Sequence, residues 1–175
     1  MPSTPSWDFI IGMFFAVTIA YGFILQRERI LTTLLAVYVG IVVSQVWSGT
    51  LFQFVNGDKT VFGQFFVRSD ASPQTIQVIL FLITIGIMST KSGLGSTRAR
   101  AGLMSPIELF GYSFLTAALI LSTILSFLPE ASRTGIIEHS QLASKVMGYQ
   151  IWWVILPVVL MLVTGGRRRS DPYVE

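Results

Sequence analysis

The sequence predicts an all-α, polytopic integral membrane protein with about five transmembrane helices. Three observations carry that expectation. Five apolar stretches each approach the length that crosses a bilayer. Hydrophobic residues make up 52% of the chain against 12% charged, with a mean hydropathy of +0.67. The lysines and arginines fall in short groups, most of them between or after these stretches. Soluble domains carry roughly twice that share of charge. The 175 residues suffice for a single transmembrane domain and leave little for a second.

A spanning helix needs about 20 mostly apolar residues, because each adds only about 1.5 Å. The first segment covers residues 7–25, with Ser6 placed to act as N-cap. Its flank "MPSTPSWD" has no lysine or arginine and carries Asp8, so the segment is expected to stay in the mature protein rather than be cleaved as a signal peptide. The stretch "FILQRERILTT" then interrupts an otherwise apolar run. A short charged hairpin at Arg27, Glu28 and Arg29, joining two antiparallel spans, explains both the length and the interruption. The second segment covers residues 30–47, with an extension to Val55 left open, and the third 73–89. The fourth, 106–128, opens on "SPIE": Ser105 as N-cap, Pro106 at the first helical position and Glu108 reaching back form a capping box. The fifth, 149–165, is short and contains Pro157, whose missing N–H neighbouring helices can tolerate. The alternative for this segment is a re-entrant or interfacial placement beside four spans.

Orientation follows from the basic residues. If all five segments cross, Arg27, Arg29, Lys91, Arg98, Arg100, Arg167, Arg168 and Arg169 share one side, eight of the twelve basic residues. The expected topology therefore has the N-terminus outside and the C-terminal tail, residues 166–175, in the cytoplasm. The outer loops are then residues 48–72 and 129–148. In the first, Phe52, Phe54, Phe62, Phe65 and Phe66 surround an Asn56-Gly57 turn, as expected of an interfacial amphipathic piece or a re-entrant element. In the second, Ser140 caps a short helix carrying Leu142, Val146 and Met147 and ended by Gly148. Trp152 and Trp153 read as an interfacial anchor.

Small residues define the expected packing faces, since lipid tails leave close backbone approach as the main attraction between helices. Gly12, Ala16 and Ala20 recur every fourth residue in the first segment, with Gly22 beyond. Thr32, Ala36, Gly40, Ser44 and Ser48 do the same in the second. Joined by a tight hairpin, the two stripes are expected to face each other. Ala118, Ser122 and Ser126 form a shorter stripe in the fourth segment, whereas the fifth has none and is expected to contact lipid.

The chemistry expected is sparse. The absence of cysteine excludes disulfides and thiolate catalysis. His139, the single histidine, has no partner at metal-ligand spacing, and no metal or cofactor site is expected. "KSGLGSTRARAG" is preceded by no strand and reads as a flexible cytoplasmic linker rather than a phosphate loop. No Asp, Glu, Lys, Arg or His falls in the middle of any segment, which argues against a proton relay or an intramembrane protease. The pI near 9.5 reflects basic loops, and no nucleic-acid partner is expected.

The order of features resembles the colicin V production (CvpA) family of bacterial inner-membrane proteins. The likeness lies in "WDFIIGMFFAVTIAYGFILQRERILTTLLAVYVGIVVS", where an acid precedes the first helix and Tyr21, Gly22 and Phe23 lead into the basic turn. It resumes in "FLTAALILSTILSFLPEASRTGIIEHSQLASKVMGY", where a helix ends in Leu-Pro ahead of Ser140, Leu142 and Ala143. The fifth segment and the triple-arginine tail extend past the family's four-helix pattern. The resemblance implies an inner-membrane protein linked to toxin production or secretion and to envelope maintenance, with no catalytic residues to carry over. The expected function is a non-enzymatic accessory or scaffold protein whose partners are the lipid bilayer and either further copies or other membrane proteins. The alternative is an oligomeric pore or carrier for an uncharged solute, lined by Ser44, Ser48, Thr84 and the phenylalanine-rich loop.

Overall fold

The computed structural model describes residues 6–56, 72–91 and 106–166, the side chains of residues 25–29, 55–56, 91 and 165–166 excepted. Described residues form α1 (Trp7–Asn56), α2 (Pro73–Lys91), α3 (Pro106–Phe127), α4 (Glu130–His139), α5 (Gln141–Gly148) and α6 (Gln150–Gly166). No strand occurs among them. Four stretches are long and apolar enough to cross a membrane: Trp7–Ile24, Ile30–Phe54, Pro73–Thr90 and Pro106–Phe127. The pair Gln141–Gly148 and Gln150–Thr164, bent by 64°, makes a fifth if taken as one broken span. The protein is an all-α polytopic membrane protein.

Every residue of α1 is assigned to helix, yet its two ends do not share an axis. A Cβ built on Gly22 would lie 2.7 Å from Cδ1 of Ile30, whereas eight residues of straight helix rise about 12 Å. Ile11 packs with Leu125 of α3, while Gly40 lies against Phe81, whose ring meets Phe127 at 5.8 Å between centroids. Residues 11 and 40 therefore both sit at the C-terminal end of α3, although a straight helix would part them by about 43 Å. The chain doubles back between Gly22 and Ile30. We call Trp7–Ile24 the N-terminal arm and Ile30–Phe54 the C-terminal arm of α1.

α3 is the hub, in contact with α1, α2, α5 and α6. Its buried face includes Ser113, Thr116, Ala117, Ala118, Ser122 and Thr123, small side chains that let neighbouring backbones approach. Their hydroxyls do not remain bare in an apolar surround. Ser113 donates to Leu109 O at 2.7 Å, Thr116 to Tyr112 O at 2.7 Å, Ser122 to Leu119 O at 3.1 Å and Thr123 to Leu119 O at 2.7 Å. Returning each proton to the helix's own carbonyls satisfies the polar atom without water. Around α3 gather Ile30, Leu34 and Val37 of the C-terminal arm and Phe81 of α2. Every other span exposes a series of large apolar side chains, as a lipid-facing surface requires.

Several boundaries differ from those the sequence predicts. Helix continues through residues 48–56, which the sequence assigns to the outer loop while leaving an extension to Val55 open, because the apolar run continues through Leu51, Phe52 and Phe54 with no proline to stop it. Residues 130–139, read as loop, form α4, a helix with no buried residue and no apolar periodicity to reveal it. α6 passes through Pro157 without interruption. The hydroxyl of Tyr38 donates to Val154 O at 2.6 Å, one residue beyond the carbonyl that Pro157 deprives of its helical donor. The Phe62, Phe65 and Phe66 expectation and the capping serine Ser105 lie outside the described residues.

Candidate functional site

At one end of the bundle the first turn of α1 meets the start of α5. Ser6 opens α1, its carbonyl accepting from Phe9 N at 2.9 Å and its hydroxyl oxygen from the same N–H at a longer 3.4 Å. This places Asp8 in the first turn, where a carboxylate faces the positive end of the helix dipole. Its Oδ1 also accepts from Ser140 Oγ at 2.6 Å and from Leu142 N at 3.0 Å, across 132 and 134 residues of sequence. Ser140 in turn accepts from Ala143 N at 3.0 Å. Only 2% exposed, it has the extended backbone of an N-cap, with φ −141° and ψ 117°.

The arrangement settles the free N–H groups of α5 with two acceptors, one from its own cap and one from a different helix. It also sets one negative charge between two helix N-termini. Beneath it Ala143 packs with Ile11 and Leu125, bordered by Phe15, Leu121 and Met147. Outside it an open depression of about 530 Å³ is lined by Asp8, Glu138, His139, Gln141, Ser144 and Lys145. The Nδ1 of His139 donates to Gly135 O at 2.8 Å, so this nitrogen carries the proton in the arrangement seen. Among the described residues no group of three or more His, Asp or Glu side chains is placed to hold a metal ion.

Two further polar ties join the C-terminal helices to the hub. Trp153 Nε1 donates to Val146 O at 2.8 Å, bracing the bend between α5 and α6, and its ring stands edge-on to Phe114 at 6.0 Å. The Tyr112 hydroxyl lies 2.6 Å from Thr164 Oγ1, whose own proton goes to Leu160 O at 2.8 Å. Tyr112 is therefore the donor of that pair.

The residues singled out for packing divide sharply. Ala36, Gly40 and Ser44 are buried and Thr32 half-buried. The surface Gly40 meets is α2: a Cβ there would lie 3.1 Å from Phe81 Cδ2 and 3.4 Å from Ile85 Cγ1. The stripe of the N-terminal arm faces elsewhere. Nothing lies within 4 Å of a Cβ on Gly12, and Ala16 and Ala20 are exposed. The two stripes do not meet, because the arm turns Ile11, Phe15 and Gly22 toward the hub instead. Ala118 and Ser122 are fully buried in α3. The side chains of Arg27, Arg29 and Lys91, and all of Arg98, Arg100, Arg167, Arg168 and Arg169, lie outside the described residues.

Comparison with known proteins yields no matching family model, no matching curated protein and no matching solved structure. Sequence reading found the cap at Ser140 but missed its partnership with Asp8. An N-cap is a local pattern, whereas nothing in the composition around either residue marks a contact between them.

Proposed function

We propose that this chain is a non-enzymatic accessory or scaffold protein of the bacterial inner membrane, of the kind its resemblance to the CvpA family implies, with a role in toxin production or secretion and in envelope maintenance. One observation carries the reading: the hydroxyls of Ser44 and Thr84, the two described groups best placed to line a path, are spent on the backbone of their own helices. Ser44 is fully buried with its hydroxyl on Ile41 O at 2.9 Å, and Thr84 donates to Leu80 O at 2.7 Å. Neither presents a free hydroxyl to a path through the bundle, so the pore reading gains nothing from them. What the chain does present is apolar helix surface to its surroundings and a fixed polar junction at one end, which suit contact with lipid and with other membrane proteins.

The proposed topology has the N-terminus outside and the C-terminus in the cytoplasm, since eight of twelve basic residues then lie inside. Proteoliposomes test the functional class. Native protein and Ser44→Trp are expected to give the same background leak for a panel of neutral solutes. Flux through the native protein that the tryptophan blocks would replace the scaffold reading with a pore. For topology, a cysteine added after Arg169 should resist a membrane-impermeant thiol reagent in intact cells, and ready labelling there would invert the arrangement.

A further inference from the structure

We infer that α4 and α5 form a hinged strap, clasped to the bundle by the Asp8 carboxylate, and that protonation of Asp8 loosens it. The clasp consists of one carboxylate oxygen accepting from Ser140 Oγ at 2.6 Å and from Leu142 N at 3.0 Å. Hydrogen bonds to an ionised acceptor are roughly twice as strong as neutral ones, and the same charge sits at two helix N-termini. Adding a proton removes both advantages at once. A neutral acid still has an oxygen to offer, so the clasp is weakened rather than abolished.

Beyond the clasp the strap has a small apolar contact. α4 buries no residue and sets only the half-buried Ile136 and Ile137 against the Ile11–Leu125 seam, and α5 buries Ala143 and Val146 with Met147 beside them. Segments with few buried apolar contacts open at lower free energy than the core. Both ends have a pivot. Pro129, with φ −54° and ψ 146°, separates α3 from α4, and a 64° bend separates α5 from α6. The bond from Trp153 Nε1 to Val146 O keeps the far end of α5 with α6, so opening moves the Ser140 end. Lifting it uncovers the apolar seam of Ile11 and Leu125 between the N-terminal arm and α3.

The other titratable groups facing Asp8 are Glu138 and His139 of α4 and Lys145 of α5. On α3, Glu108 stands in the first turn, at the opposite end of that helix. The contributions are separated by substitution.

The test is amide hydrogen exchange of the full chain in nanodiscs, corrected for intrinsic rates, at about pH 7 and at about pH 2, the second well below the ordinary carboxylate range. Acid should raise exchange over residues 137–148 by about tenfold, the difference between a charged and a neutral acceptor, while the α3 core stays protected. Asp8→Asn should reach the acid level already at neutral pH and respond no further. Glu138→Gln, His139→Gln and Lys145→Met should each retain the response. If Asp8→Asn does not fold, Ser140→Ala serves: faster exchange at neutral pH, with an acid response left through Leu142 N. A strap indifferent to pH overturns the inference, even if Asp8→Asn loosens it, because the tie would then be static. So does a response that persists in Asp8→Asn, one that disappears with Glu138, His139 or Lys145, or loss of protection across the whole bundle at once.

Discussion

Gly22 offers the sharpest test of the reversal in α1. A Cβ at this position would be 2.7 Å from Ile30 Cδ1 and 2.8 Å from Ser113 Cβ, and would overlap Ser113 Oγ. Separations under 3.0 Å do not occur for real Cβ atoms, so something must move. Ile30 is 4% and Ser113 1% exposed, which leaves neither much room. If Ser113 turns away, it gives up its 2.7 Å bond to Leu109 O. Overpacking of this kind costs about 1–3 kcal/mol, and the Gly22→Ala variant should fall near the upper end. In a chain of this size each kcal/mol moves the midpoint by about 2–4 °C. The assay is thermal unfolding in detergent of Gly22→Ala, of Ser113→Gly, and of the pair together. Ser113→Gly removes two of the three obstructing atoms, so the double variant should recover about half or more of the loss, a coupling that only touching residues show. Gly12→Ala is the control: with open space around it, the alanine should be neutral or stabilise by up to about 1 kcal/mol. A Gly22→Ala protein with native stability, or a double variant whose losses simply add, would mean that the arms do not fold back at this point.

Gly40→Leu should separate the C-terminal arm from α2, because Phe81 and Ile85 occupy the space the side chain needs. Disulfide trapping between cysteines introduced on those two helices should be lost, and retention of trapping at the native rate would contradict the contact. Tyr112→Phe removes the donor to Thr164 and should cost about 0.6 kcal/mol, at most about 1.7, as interhelical bonds in membranes do. A loss above about 2 kcal/mol in thermal unfolding would show that the hydroxyl does more than bridge α3 and α6.

How far the sequence disclosed this fold depends on whether the controlling interaction is local. Span lengths follow from bilayer thickness, so the apolar runs were legible to within a few residues at Trp7, Pro73 and Pro106. The cap at Ser140 was legible for the same reason, its partner Ala143 N being three residues away. The stripes show where local pattern stops. A four-residue repeat tells which residues share a helix face, but not which neighbour takes that face. Gly40 and Gly12 therefore looked alike, yet one meets an aromatic ring and the other meets nothing. Asp8 was visible only as an acid ahead of the first span, because its partners lie more than 130 residues onward. α4 was invisible because its only apolar contact comes from the adjacent pair Ile136 and Ile137, which sets no helical period.

The central position of α3 has a consequence for biogenesis. The arms of α1 and then α2 leave the ribosome first, and the C-terminal arm finds α2 at once through Gly40 and Phe81. The N-terminal arm has only Ile30, beside Gly22, as an early mate: Ile11, Phe15 and the other side of Gly22 wait for Leu125, Phe114 and Ser113. Until translation has passed residue 127, the nascent protein is a half-closed hand, its first finger extended into lipid. Quality-control proteases and insertases would meet the chain in that posture, and a stop codon ahead of α3 should leave a fragment that threads the bilayer but never closes.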